Sequence, residues 1–446
     1  MREILESTFR QALEGASPRE LTLQALPEER PALVLAVGKA ALPMLEAALT
    51  RYEGVPWLAT PPDGLPPPGL AGGELLPGSH PLPDERSVAA ASRALESVRG
   101  LGPDDLVLLL VSGGGSALWS APAGVDLESK RRLTTHLQRA GADIGELNTV
   151  RRHLSRVKGG GLLAATKARV LSLLLSDVPG DAPWDVASGP GVADPTTFGD
   201  ALDVLARYPG GAVDPAAEVF RRGKRGELPE TVKPGSAADA RSAATVVGTS
   251  RTLLAEAAAY LEKRLDVQTL ALHHDLGGEA RELAARQAQL AAAILAGEDA
   301  RPLLPLLAAD PPYVAWRLGR LERGRPVALL SAGEATVTVR GSGRGGRNQE
   351  FALAFALELA QRAPGANVWA LSAGSDGVDG TSEAAGAFVA PDTLERAAAL
   401  GLDAAAMLRD NDSAGFFAAL GDQLVTGPTG HNLNDLRLVL LPPAAP

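Results

Sequence analysis

The chain has 446 residues, 45% hydrophobic and 22% charged, enough for two or three domains with their own cores and too apolar for wholesale disorder. A net charge of −10, with no basic run interleaved with aromatics, argues against a nucleic-acid partner. The absence of cysteine excludes disulfides, cysteine-held zinc and thiol catalysis; with no apolar signal core after Met1 and no run approaching a bilayer span, no membrane partner is expected and the chain reads as cytoplasmic.

Ile4 to Leu13 fits a short amphipathic helix. Leu33 to Val37 reads as a buried strand closing on Gly38-Lys39-Ala40-Ala41, with a helix following to Leu49. Lys39 therefore sits where strand becomes helix, either as a solvated lysine or at the end of an open α/β sheet where ligands bind. The phosphate-loop pattern fails here, since it needs glycine at position 33 and Ser or Thr at 40, where Leu33 and Ala40 stand. Residues 54–84 are rich in Pro and Gly, with a short strand at Trp57–Thr60.

Leu106 to Val111 is apolar without alternation, the mark of a strand covered on both faces. Ser112, Gly113, Gly114, Gly115 and Ser116 follow it. Such a turn can aim several N–H groups at a phosphate or carboxylate, helped by a helix start behind it, or it can be a tight strand-to-helix turn. Helices are expected near Ser87–Val98 and Leu127–Ala140. The stretch from Asn148 to Lys158 carries Arg151, Arg152, His153 and Arg156, and by itself reads as a solvated helix face; His153 lacks metal-ligand spacing. Val170 to Leu175 reads as another buried strand. Asp177 and Asp181 just beyond it could hold a hard cation such as Mg²⁺ or simply form a turn. Residues 208–238 are polar and loop-rich and mark the expected domain boundary.

Strand, turn and helix recur at Ala244–Ser250 and Leu253–Leu261, followed by a strand at Val267–Leu272 and an Ala-rich helix at Glu279–Leu295. His273 and His274 are expected to diverge, which disfavours a metal site, and the Pro-rich piece 302–312 reads as a linker. Ala335 to Val339 alternates, suggesting a half-exposed antiparallel strand. The loop Gly341-Ser-Gly-Arg-Gly-Gly-Arg-Asn348 leads into a helix to Arg362, with Asn348 placed to cap it. Arg344 and Arg347 on a glycine loop at a helix start read as an anion site. The same loop satisfies G-x-G-x-x-G, but the alternating strand before it and Arg344 within it speak against a dinucleotide site. No V-A-I-K strand supports the protein-kinase glycine loop, and no G-x-S-x-G elbow supports serine hydrolysis. Val368 to Ser372 reads as a strand with Asp376 and Asp379 in its terminal loop. Arg409 to Ser413 resembles a helix cap, and a polar glycine turn from Val425 to Asp435 precedes a last strand, Leu436–Leu441.

Taken in order, these motifs resemble the glycerate 2-kinase family, the class with a MOFRL-type C-terminal domain. The likeness rests on Val37-Gly-Lys-Ala40, Ser112-Gly-Gly-Gly-Ser-Ala117, Asn148-Thr-Val-Arg151 with Lys158-Gly-Gly160, and Ser176-Asp-Val-Pro-Gly-Asp181. In the second half it rests on Gly343-Arg-Gly-Gly-Arg-Asn-Gln-Glu350, Ser375-Asp-Gly-Val-Asp-Gly380, and Thr426-Gly-Pro-Thr-Gly430 with Asn432 and Asp435. The resemblance implies an α/β fold of two domains: a Rossmann-like three-layer N-terminal domain with a parallel sheet, residues 1–235, and a smaller C-terminal domain with a mixed sheet, residues 236–446. It implies ATP-dependent phosphorylation of D-glycerate to 2-phosphoglycerate with Mg²⁺, in a cleft between the domains. Lys39 and Arg347 match the family's proposed catalytic lysine and arginine. Ser112, Gly113, Gly114, Gly115, Ser116, Asn148, Arg151, Lys158, Gly346, Asn348 and Asn432 are the candidate substrate and nucleotide contacts, and Asp177, Asp181 and Asp376 the candidate metal ligands. Small molecules are the expected partners, with a homodimer left open. Two alternatives stand beside this reading: an NAD(P)H-dependent hydroxypyruvate reductase, the activity once ascribed to such proteins, and a non-catalytic sugar-acid-binding module.

Overall fold

The computed structural model describes residues 1–64, 69, 71–322 and 324–443, and the chain divides into two units, Pro18–Val247 and Met1–Ser17 with Gly248–Pro446. In the first, six strands form one sheet: β1 (Leu33–Val37), β2 (Trp57–Thr60), β3 (Gly73–Leu75), β4 (Leu106–Val111), β5 (Arg169–Leu175) and β6 (Ser242–Gly248). Their spatial order is β3-β2-β1-β4-β5-β6, and every pairing from β3 through β5 is parallel. Every residue of β1, β2 and β4 is buried, which is why their sequences run apolar without alternation. Leu35, Val37, Leu109 and Val111 pack in one core with Ala90, Ala91 and Ala94 of the helix Glu85–Arg99. Each buried Leu or Val contributes about 1.5–3 kcal/mol of apolar transfer.

A second core in this unit joins the helices Leu127–Arg139, Ile144–His153, Phe198–Arg207 and Asp214–Lys224. It corrects two expectations. The basic stretch 148–158 is not a solvated face: Asn148, Arg152, His153 and Lys158 are all buried. Arg152 is held by Asp185 and Asp194, each at 2.9 Å, and His153 by Glu230 at 3.0 Å. Nor is 208–238 loop throughout, because Ala216, Ala217, Val219 and Phe220 of Asp214–Lys224 are core residues. Pro215 occupies the first helical turn, where its missing N–H costs nothing. The Pro- and Gly-rich segment 54–84 includes five positions outside the described residues.

The other unit is built on a mixed sheet of β7 (Gln268–His273), β9 (Val327–Gly333), β11 (Trp369–Gly374), β12 (Gly386–Val389), β13 (Gln423–Leu424) and β14 (Asp435–Leu441). Its order is β13-β12-β11-β14-β9-β7; β7 and β9 are parallel and the other pairs antiparallel. The helices Ala280–Ala296 and Arg347–Arg362 contribute Leu283, Leu290, Phe351 and Phe355 to its core. The helix Arg2–Gly15 also belongs to this unit, and β6 to the other, so the division differs at both places from one drawn at 235/236. A Cβ on Gly15 would lie 2.4 Å from the Glu256 carboxylate, a measure of how closely that helix packs on Ser250–Leu265.

Three local expectations in this unit fail. The stretch 335–339 is no antiparallel strand: β10 (Ala335–Thr336) pairs for two residues, in parallel, with β8 (Gly278–Glu279), and Val339 is 73% exposed. Alternation signals a strand only while a partner strand runs beside it, and here the backbone leaves to pack elsewhere. The piece 302–312 is no linker, since Leu304 and Leu307 are buried around a 3₁₀ turn, Arg301–Leu306, and a helix, Pro311–Leu318. The His273 and His274 rings do not diverge but stack, with centroids 5.5 Å apart.

The tightest constraint in the parallel sheet lies where β1 ends. Gly38 has φ +124°, and a Cβ there would sit 2.2 Å from Ser112 Oγ and 2.5 Å from the Ser112 carbonyl oxygen. Gly38→Ala should therefore cost more than about 3 kcal/mol, backbone strain and overpacking together, as a shift of the urea midpoint. Gly54→Ala, with φ +70° but nothing within 4 Å of its Cβ, is the control and should cost only about 1 kcal/mol.

Candidate active site

From β1 the chain winds outward through β2 and β3, and from β4 in the opposite direction through β5 and β6. The carboxyl ends of β1 and β4 are thus the topological switch point, where open α/β sheets leave a crevice for ligands. Val37 and Val111 are in register there, so Gly38-Lys39-Ala40 meets Ser112-Gly113-Gly114 directly. Lys39 N–H donates to the Gly113 carbonyl at 2.9 Å, and Ala40 N–H donates to Ser112 Oγ at 2.9 Å. Those bonds spend Ser112 on structure and fix Lys39, half-buried, beside Gly114. A Cβ on Gly114 would be 3.4 Å from Lys39 Cγ and 3.1 Å from His80 Cδ2. Among the described residues neither the Gly113 nor the Gly114 N–H has an internal acceptor. The helix after the hinge is a single turn, Gly115–Leu118, so its dipole adds less than a full helix would.

Beneath the hinge lies a polar chain. Lys158 Nζ donates to the Ser116 carbonyl at 2.8 Å and the Trp119 carbonyl at 2.9 Å. Ser188 Oγ donates to Asn148 Oδ1 at 3.0 Å, so in its 2.6 Å bond with Ser116 Oγ the proton comes from Ser116. Ser188 belongs to a run of three left-handed residues, Ala187 (φ 51°), Ser188 (φ 60°) and Gly189 (φ 62°). Two non-glycine residues in that region cost about 1–3 kcal/mol each, strain of the kind that collects at functional sites. Gly115 makes room for this turn, since a Cβ there would stand 2.7 Å from Ala187 Cβ. Lys39, Ser112–Ser116, Asn148 and Lys158 are therefore neighbours, and Arg151 lies on the same helix as Asn148. Asp177 and Asp181 follow β5, partly exposed, with Asp181 at φ 54°.

In the other unit, Arg347 opens the helix Arg347–Arg362 and is gripped by acids. Its Nε and Nη2 donate to the two oxygens of Asp435 at 2.6 and 3.0 Å, and Nη1 donates to Glu334 at 2.8 Å. Burial opposes the charge of both partners, and the pairing overcomes it: Arg347 is raised and Asp435 lowered from their ordinary values. Arg437, fully buried, backs Asp435 at 3.6 Å.

The glycine loop before this helix does not do what its sequence suggested. All six N–H groups from Arg340 to Gly345 are satisfied internally, by Asn411, Asp410, Asp412 and Thr381. Cβ atoms on Gly341, Gly343 and Gly345 would meet residues 410–413 at 2.3–2.4 Å, so glycine is there for chain packing. The helix start already holds an anion. Asp379, buried, accepts the N–H groups of Asn348 and Gln349, both at 2.9 Å, so Asp379 is the cap expected of Asn348. Burial lifts its carboxyl to about 6, against the pull of those two donors. Asn348 is buried and accepts from Ser372 Oγ at 2.7 Å; Gly346 lies against Asp379. Asp376 is partly exposed, and Asn432 is buried just before β14. Lys130 gave no sequence signal of a role; Asp379 and Asp435 stood in recognised motifs, but their roles as helix cap and arginine partner were not legible because those partners are distant along the chain.

A switch point furnished with lysine and unsatisfied backbone N–H groups defines an α/β enzyme that handles small anionic molecules. Known proteins narrow that class. Residues 4–219 match the model of a domain of unknown function, DUF4147, and residues 327–435 match the MOFRL family. A protein of Agrobacterium vitis with the provisional name hydroxypyruvate reductase is 40% identical over 99% of this chain and 94% of its own. The D-glycerate 2-kinase of Thermotoga maritima is 35% identical over 99% of this chain and 98% of its own. The crystal structure of a Thermotoga maritima glycerate kinase superposes with a TM-score of 0.80 at 33% identity, covering 99% of both chains. The chain belongs to the MOFRL-type glycerate kinase family and is a kinase by that membership. Among the described residues, no helix is long and apolar enough to cross a membrane.

Asp435→Asn removes the charge that holds Arg347 and Arg437 and should cost about 3–5 kcal/mol in urea unfolding, the usual effect of breaking a buried pair. Asp379→Asn turns an acceptor into a donor facing two N–H groups and should cost about 1–3 kcal/mol by the same measurement.

Proposed function

We propose that the protein transfers the γ-phosphoryl group of ATP to the 2-hydroxyl of D-glycerate, giving ADP and 2-phosphoglycerate. The observation that carries this reading is Lys39 seated beside Gly113 and Gly114 at the switch point; the name of the Thermotoga relative supplies the substrate and the position. The substrate oxygen bonds to the γ-phosphorus, the bond from that phosphorus to the β,γ-bridging oxygen breaks, and the hydroxyl proton is released. Catalysis of this kind is positioning and charge stabilisation. Lys39 and the hinge N–H groups offset charge on the transferring group. Arg347 spends three of its five N–H donors on Asp435 and Glu334, and the remaining two serve a carboxylate or phosphate oxygen.

The donor set suits Mg²⁺. That ion takes one or two carboxylates and fills its shell with water and phosphate oxygens, and among the described residues no cluster of three acids or histidines builds a cage for a metal. Asp177 and Asp181 after β5, or Asp376 after β11, are the carboxylates that would hold it, and when bound it would offset phosphate charge.

The Agrobacterium relative's name favours a second reading, reduction of hydroxypyruvate by a nicotinamide cofactor. The G-x-G-x-x-G loop speaks against it, since its N–H groups from Gly341 to Gly345 are spent internally and not on a pyrophosphate. A ³¹P NMR assay with D-glycerate, ATP and Mg²⁺ should show 2-phosphoglycerate. Lys39→Ala and Arg347→Ala should each lower kcat/KM by about 10²–10³, the scale of a lost electrostatic stabiliser. Loss of reduced-nicotinamide absorbance with hydroxypyruvate, in the absence of phosphoryl transfer, would overturn the kinase reading.

A further inference from the structure

Among the described residues of the parallel-sheet unit, Lys130, Arg151 and Lys158 form a group with no acidic partner. Lys130 lies on the helix Leu127–Arg139, 5% exposed, and its Nζ donates only to the Leu154 carbonyl at 2.8 Å. Lys158, 2% exposed, reaches only the carbonyls of Ser116 and Trp119. Arg151, half-buried, makes no hydrogen bond or ion pair among the described residues. The Arg151 charge acts on both lysines, and Lys130 acts on Lys158. Burial first, then the Arg151 charge, pushes Lys130 down to about 7; burial, then Lys130 and Arg151, holds Lys158 well below its ordinary value. Burial lowers Arg151 too.

The acids of the neighbouring elements are already committed. Asp185 and Asp194 pair with Arg152, and Glu230 with His153. Among the described residues, no carboxylate offsets either lysine. Carbonyl oxygens solvate an ammonium partly, but uncompensated buried positive charge is costly unless an anion joins it. Arg152, one residue from Arg151, shows the alternative, with two acids built in.

We propose that Lys130, Arg151 and Lys158 are the receptor for one small oxyanion, a carboxylate or a phosphoryl group, below the glycine hinge. The proposal rests on the kinase reading only for the sources of that anion, D-glycerate or the nucleotide phosphates. Pairing with an oxyanion favours the charged ammonium, so binding above neutral pH draws a proton onto Lys130. Affinity then falls as pH rises from about 7.

The test is calorimetric titration of the full chain at pH 8 with D-glycerate, and separately with inorganic phosphate, in two buffers of different ionisation enthalpy. One of the two should bind with proton uptake. Lys130→Met should weaken that ligand at least about tenfold, the loss of one charge-assisted hydrogen bond. Lys130→Arg should keep the affinity, with less proton uptake and a flatter pH profile, because arginine stays charged. Loss confined to D-glycerate identifies a carboxylate receptor; loss confined to phosphate identifies a phosphoryl receptor. If Lys130→Met fails to fold by circular dichroism, the comparison of wild type with Lys130→Arg carries the test. Absence of binding by the wild type overturns the proposal. So do Lys130 variants that bind both ligands with wild-type affinity and proton uptake, even in an active kinase. Lys130-dependent binding without phosphoryl transfer would sustain the receptor and end the kinase reading instead.

Discussion

The close approach of β1 to β4 at Gly38 and Ser112 is the constraint on which the parallel-sheet site depends. Two strands in parallel register bring their last residues level, but any side chain at position 38 would push the following turn away from Ser112. With glycine there, Ala40 N–H reaches Ser112 Oγ and Lys39 N–H reaches the Gly113 carbonyl, so lysine and hinge become one rigid object. The hinge's own glycines then keep the space in front of Lys39 open. A strained turn at Ala187–Gly189 closes the same object from below, and Gly115 admits it without a clash. The arrangement is held together by main-chain hydrogen bonds, which tolerate little displacement.

Two glycine-rich stretches that look alike as sequence turn out to be opposites. At residues 113–115, glycine leaves N–H groups unspent near a lysine; at residues 341–346, glycine lets one loop press against another and every N–H from Arg340 to Gly345 is consumed. What separates them is the company each keeps. The second loop meets Asp410, Asn411, Asp412 and Asp379, acceptors supplied by segments far along the chain. A helix start and two arginines did predict an anion, and an anion is there. It is the protein's own Asp379.

Strands buried on both faces were legible from their unbroken apolar runs: Leu33–Val37 and Leu106–Val111 were read from the sequence to the residue, and Trp57–Thr60 was read as a short strand without its burial. The place of Lys39 at the carboxyl end of a buried strand was legible as well, but that this end is the switch point follows only from the strand order. What escaped is what depends on distant partners. The helix Asp214–Lys224 is short, carries a proline at its second position and is recognisable only by the core it fills. A stretch dense in arginine reads as solvated until Asp185, Asp194 and Glu230 arrive to neutralise it. Lys130 shows no local sign at all, because what sets it apart is a counter-charge that never arrives.

That last contrast bears on how charge is distributed between ligand and protein. Where cations serve the fold, this chain provides acids to match: Arg152 has Asp185 and Asp194, Arg281 has Glu350, and Arg396 has Asp392 and Asp422. Arginine is used in each, a side chain that stays charged and forks onto two oxygens. Where the acids are withheld, two of the three cations are lysines, the residue that can give up its proton to survive burial without an anion and take it back when one comes. A site built from such lysines need not hold permanent buried charge while it waits. Its cost in the folded state is therefore smaller than three unpaired guanidinium groups would impose, which is a physical reason for lysine rather than arginine at positions 130 and 158.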